Sequence, residues 1–177
     1  MRRSSLLSLL TCVVIFGALA AWVKADSPAS NKTVRANEAA VRRVYEHWAK
    51  GFHNHDIAAI MSLYGPEDAI VAYDFVPPLQ IRGKAAYRKN YEEFLEQYVG
   101  PVDIEFRDMR VVAGEDVAFL HTLQRITAKS KNGNKVDMWG RCTSGLRKIN
   151  DRWLIVHDHC SVPSDFENGK ALMDLKP

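Results

Sequence analysis

His157-Asp158-His159, Arg141 and Thr143 lie on two β-rich stretches that flank a tight Asn150-Asp151 turn. If those two residues form the whole loop, strand partners sum to about 301 or 302 in residue number. Side chains on a strand alternate between faces, so Trp153, Ile155, His157 and His159 share one face; Trp139, Arg141 and Thr143 share the corresponding face of the neighbouring strand. The pairing sets Thr143 beside His159 and Gly145 beside His157, with Arg141 near the open end. Two tryptophans mark this face as the buried one. It then presents two imidazoles, a guanidinium and a hydroxyl to an apolar interior, where polar groups need partners. Asp74, at the end of an earlier β-rich stretch, offers a carboxylate to Arg141 or to a histidine. Such a cluster supports two readings. In one, Asp74, His157 or His159 abstracts a proton while a neighbouring donor such as Arg141 steadies the enolate. In the other, the cluster is a satisfied polar network that fixes strand register.

Around these four candidate catalytic residues, Tyr45, Trp48, Tyr73, His121, Trp139 and Thr143 are expected to line a ligand pocket. His157 and His159, roughly 6.5 Å apart along a strand, could take a metal together with Asp74 or His121. That spacing is weak evidence, and neither a metal nor a cofactor is expected. Cys142 and Cys160 fall opposite each other, or one step from it, on the face away from His157 and His159. A two-residue loop without a bulge would offset them by one, so the bridged and free-thiol forms both stay open.

The elements that must hold these residues follow from periodicity. Val41, Val44, Tyr45, Trp48 and Phe52 form the stripe of an amphipathic helix, with Asn37 placed to cap it. Asp56 caps a short second helix carrying Ile57, Ile60, Met61 and Tyr64, which Gly65-Pro66 stops. Residues 69–75 read as a strand, with Pro77-Pro78 forcing an extended exit. A third helix spans about 84–98, with Tyr87, Tyr91, Phe94, Leu95 and Tyr98 inward. Four long strands follow, over 102–112, 117–129, 135–149 and 152–161, separated by turn signals. Three helices and then an antiparallel meander make an α+β arrangement, and a strongly twisted sheet can curl to leave a cavity.

Of the 177 residues, the first 25 read as a secretory signal peptide: Arg2 and Arg3, a mostly apolar run to Val23, and Val23-Lys24-Ala25 before a break. Cleavage after Ala25 leaves a secreted or periplasmic product with no membrane span. The expected organisation is a linker over 26–36, one domain over 37–163 and a polar tail over 164–177. The whole chain has 24 Lys+Arg against 21 Asp+Glu, and Arg2, Arg3 and Lys24 leave with the signal, giving 21 against 21. That balance, without basic runs, gives no footprint for nucleic acid. The chain carries no nucleotide motif and no nucleophile elbow, which favours cofactor-free acid–base chemistry over redox or hydrolysis.

Tyr64-Gly65-Pro66-Glu67-Asp68-Ala69-Ile70-Val71-Ala72 resembles the opening of nuclear-transport-factor-2-like domains. Trp139-Gly140-Arg141-Cys142-Thr143, Leu146-Arg147-Lys148-Ile149 and Trp153 to His159 resemble their SnoaL-like, ketosteroid-isomerase-like branch. The resemblance covers roughly 37–163. It implies a cystatin-like cone: three N-terminal helices on a strongly curved antiparallel sheet, an apolar pocket, and a homodimer formed through the outer face of the sheet. In the isomerase branch the base is an Asp at the end of the first strand, and the oxyanion donors are a Tyr and a protonated Asp. By ungapped count Tyr73 falls in step with that base and Asp74 one residue later, while Thr143 or Ser144 stands where the acidic donor would be. The expectation is therefore a domain that binds a small hydrophobic, carbonyl-bearing molecule, with isomerase- or cyclase-like proton transfer. The alternative is a non-catalytic binding or homodimeric interaction module.

Overall fold

The computed structural model describes residues 28–177; the expected signal peptide and its cleavage point lie outside them. Helix α1 (Pro28–His53) starts well before the expected capping position, so most of the presumed linker is helical. Asn37 does not cap it. Its side chain is buried inside the helix, donates to Gly114 O (2.7 Å) and accepts from Lys148 Nζ (3.3 Å). One amide thus ties the helix to the β3–β4 turn and to β5, which is why a good capping residue sits mid-helix.

α2 (Ile57–Met61) begins as expected, with Asp56 Oδ1 accepting from Ala59 N at 2.8 Å. A 3-10 turn (Glu67–Ala69) leads into β1 (Val71–Tyr73), shorter than the sequence suggested; β2 (Ile81–Arg82) and α3 (Lys84–Leu95) follow. The meander consists of β3 (Asp103–Ala113), β4 (Val117–Lys129), β5 (Lys135–Ile149) and β6 (Arg152–Ser161). Sheet order is β2-β1-β6-β5-β4-β3, antiparallel throughout except that β1 runs parallel to β6.

Two bulges bend this sheet. In β3 the register shifts between Arg107 and Arg110, where Asp108 adopts φ 54°, and buried Thr122 Oγ1 donates to the Arg107 carbonyl at 3.0 Å. In β6 the register shifts at Val156, opposite the Gly145–Leu146 step. Near the turn Ile149 pairs with Arg152, so Asn150-Asp151 is indeed the whole loop, both residues at positive φ (49° and 59°), as a type I′ turn requires. Beyond Val156 every β6 side chain has changed face relative to a regular strand.

The helices fill the concave side. The expected stripe of α1, from Val41 through Phe52, is buried with Ile60, Met61 and Tyr64, against Leu120, Leu146 and Ile155 from the sheet. α1 packs chiefly on β3. Among the described residues no helix is long and apolar enough to cross a membrane.

Candidate functional site

An apolar cavity of about 280 Å³ opens between α3, the segment after β1 and the far ends of β3–β5. Trp48 and Phe52 from α1, Tyr87, Tyr91 and Phe94 from α3, and Ile126 and Met138 from the sheet form its walls. Met173, from the C-terminal segment expected to be a polar tail, reaches its rim. Gln124 adds a carboxamide from the sheet side.

Two carboxylates stand in this lining, Glu93 and Asp74. Asp74 directly follows β1 and continues its alternation, so that it turns inward whereas Tyr73 points out. Its Oδ1 accepts from Phe75 N (2.7 Å) and its Oδ2 from Asn90 Nδ2 on α3 (2.9 Å). Burial raises its pKa above the ordinary carboxylate range, and these two hydrogen bonds oppose the rise without cancelling it.

Behind the aromatic wall lies a second polar group that the sequence reading did not find. Tyr64 Oη is its hub: it donates to Asp158 Oδ2 (2.6 Å), accepts from Trp48 Nε1 (3.1 Å) and shares a hydrogen bond with Tyr91 Oη (2.7 Å). Ser144 Oγ donates to Asp158 Oδ1 at 2.5 Å. Burial pushes the Asp158 carboxyl up to about 6, against the lowering effect of the Ser144 and Tyr64 hydrogen bonds. Burial first, and then the Asp158 charge, holds the Tyr64 and Tyr91 phenols well above their ordinary value, so both remain protonated donors. Tyr45 is core beneath this group; its hydroxyl is buried with no hydrogen-bond partner among the described residues.

The family model of the SnoaL-like domain matches residues 41–165. The chain belongs to the SnoaL-like domain family. Among solved structures, an NTF2-like protein of unknown function from Pseudomonas putida KT2440 is 34% identical, with a TM-score of 0.72 over 81% of this chain and 98% of that one. An NTF2-like superfamily protein from Salmonella enterica serovar Typhimurium is 18% identical, with a TM-score of 0.67 over 78% of this chain and 99% of that one. A candidate dehydratase of the NTF2-like family from Streptomyces avermitilis is 16% identical, with a TM-score of 0.64 over 72% and 96%. The last two likenesses establish the NTF2-like fold alone. No curated protein matches the chain.

The residues first singled out divide between the two faces of this SnoaL-like domain. Asp74 and Trp48 line the cavity. Arg141, His157, His159, Thr143, Trp139 and His121 stand instead on the convex face, contrary to expectation. Arg141, His159 and His121 are solvent-exposed, and the other three are half-buried. The bulge at Val156 is the cause: Trp153 and Ile155 do point inward, but beyond it Asp158 and Cys160 take the inner face and the two histidines turn out. On β5 it is the even-numbered residues that face in, so Ser144 rather than Thr143 reaches the interior.

Outside, Tyr73 sits edge-on to His157 and His159, with ring centroids 5.2 and 5.7 Å apart, and His157 Nδ1 bonds Val71 O at 2.8 Å. Trp139 stacks under Arg125, 5.9 Å from its ring centroid. Asp74 makes no bond to Arg141 or to any histidine. Among the described residues no three His, Cys, Asp or Glu side chains come close enough together to hold a metal.

Proposed function

We propose that this SnoaL-like domain binds a small, largely apolar, carbonyl-bearing molecule in the cone cavity and transfers a proton on it without a cofactor, with Asp74 as the base. Asp74 carries the reading. A carboxylate fixed by two donors in an aromatic wall, with its pKa raised by burial, is a stronger base than one in water. The protonated Tyr87 phenol in the same lining is a donor available to a developing enolate oxygen.

In this reading the mature domain works in an oxidising extracytoplasmic compartment. The basic and apolar N-terminal sequence and the Cys142–Cys160 disulfide support that location. It works as a homodimer through the convex sheet, supported by the exposed Val112, Val117, Phe119 and Tyr73 on that face.

Deuterium uptake at the α-carbons of 2-tetralone, followed by NMR in D2O, tests the base. The domain is expected to accelerate exchange, and Asp74→Asn to slow it by about 10²-fold or more with binding retained. Exchange unaffected by Asp74→Asn would remove Asp74 as the base. Binding without any exchange would make the domain a non-catalytic carrier.

A further inference from the structure

Asp158 does not line the cavity, yet it is tied through Tyr64 to Tyr91, which does. Proton counting fixes the direction of that chain. Tyr64 Oη has one proton and two lone pairs. With Asp158 ionised, the Tyr64 proton goes to Asp158 Oδ2, and the Trp48 Nε1–H and the Tyr91 hydroxyl occupy the lone pairs. Tyr91 has then committed its only proton inward and offers the cavity lone pairs alone. With Asp158 protonated on Oδ2, that O–H donates to Tyr64 Oη. Trp48 keeps its bond, and the Tyr64 proton must turn to Tyr91 Oη. The Tyr91 proton becomes free for Tyr87 or for a guest. Ser144 continues to donate to Oδ1 in both states. Neither arrangement leaves a buried partner unsatisfied, so the chain can reverse without moving a heavy atom.

We propose that Asp158 is a positioning residue that sets guest specificity: its protonation reverses the Asp158–Tyr64–Tyr91 chain and turns Tyr91 from an acceptor into a donor toward the cavity. The protonated form then favours a carbonyl guest. The proposal rests on the cavity being a ligand site and adds a control over which ligand the site prefers.

Burial of Asp158 puts the reversal in the weakly acidic range. The other titratable groups that face it are Tyr45 from α1, Tyr64 after α2, Tyr87 and Tyr91 from α3, Asp74 after β1, and His157 on its own strand. Lys84 Nζ is bonded to the Tyr64 carbonyl at 3.0 Å. Of these, only Asp74 lines the cavity and is itself acidic, so the test must separate its titration from that of Asp158.

The probes are 2-tetralone, whose oxygen only accepts, and 2-naphthol, of near-identical shape, whose hydroxyl serves either polarity. Dissociation constants are measured by Trp fluorescence between about pH 5 and pH 8. Wild type is expected to bind 2-tetralone about tenfold more tightly at the acid end, the worth of one matched hydrogen bond, with a smaller change for 2-naphthol. Tyr64→Phe cuts the chain and Asp158→Asn removes the proton; both are expected to bind 2-tetralone with at most a twofold pH change. Asp74→Asn, which removes a charge that itself raises Asp158, is expected to retain a pH change in the same direction. A slope that survives Tyr64→Phe, or that Asp74→Asn abolishes, overturns the proposal.

If neither probe binds at any pH, it is the cavity reading that fails. The chain is then judged in the free protein from the 13Cζ shift of Tyr91. A titration of that carbon lost in Tyr64→Phe supports reversal. The same titration persisting in Tyr64→Phe refutes it, because only the through-space field of Asp158 would remain.

Discussion

Cys142 and Cys160 stand directly opposite each other on β5 and β6, bonded on the concave face with Cα atoms 4.3 Å apart. The bulge at Val156 produces the match, since without it the pair would be offset by one residue. The bridge joins residues 18 apart in sequence, and closing a loop of that size restricts the unfolded chain by about 3 kcal/mol. Unreduced, denatured mature protein should therefore show no free thiol. The Cys142→Ser/Cys160→Ser pair should unfold about 2–4 kcal/mol more easily in urea. Two reactive thiols per chain would exclude the bridge.

Gly140 and Phe75 form a second close fit. A Cβ on Gly140 would collide with Phe75 Cζ, so the ring is seated where a side chain would otherwise stand. Phe75 also lines the cavity, and this seat anchors the segment after β1 that presents Asp74. Gly140→Ala should destabilise by about 1–3 kcal/mol through overpacking. In a Phe75→Ala background the same change should cost little. Equal costs in the two backgrounds would show that the ring is not what the methyl displaces.

The β5–β6 hairpin shows where the sequence was legible and where it was not. Turn chemistry at Asn150-Asp151 fixed the loop, and the stripe from Val41 to Phe52 fixed the face of α1, because both are local signals. The four long strands fell almost residue for residue where the turn signals put them. The parity of β6 was not legible. A single extra residue at Val156 carries no compositional mark, yet it exchanges His157 and His159 for Asp158 as the inward groups. Asp158 was hidden between two histidines that looked more reactive. Asp74 was found because a carboxylate at a strand end stands out. Its partner Asn90 was not, because that contact joins α3 to the segment after β1 and has no sequence period.

The outward set gives a sharp contrast. Arg141 and His159 are exposed, and among the described residues the only hydrogen bond from either side chain is the one from Arg141 to Ser161 Oγ, at 3.4 Å. His159→Ala and Arg141→Ala should each change stability by no more than about 0.5 kcal/mol and leave the exchange of 2-tetralone as in wild type. A tenfold loss of exchange in either variant would mean that the reacting centre is not in the cone.

Asp158 makes the last and most demanding test, because its effect on stability has a defined sign. Its carboxyl is raised from the ordinary 3.8 to about 6, so the folded state holds the proton more tightly than the unfolded chain does. The contribution is fully present below about pH 4 and is lost as pH rises to about 6; its size is at most about 3 kcal/mol. Asp74, also raised, adds a change of the same sign, so only the difference between wild type and Asp158→Asn isolates this group. In urea titrations, wild-type stability relative to Asp158→Asn should fall between about pH 4 and pH 6 and then stay level. A difference that is flat across that window, or that rises with pH, would mean that the folded protein holds the Asp158 proton no more tightly than the unfolded chain does. The hydrogen-bond chain to Tyr91 would then not reverse in the weakly acidic range.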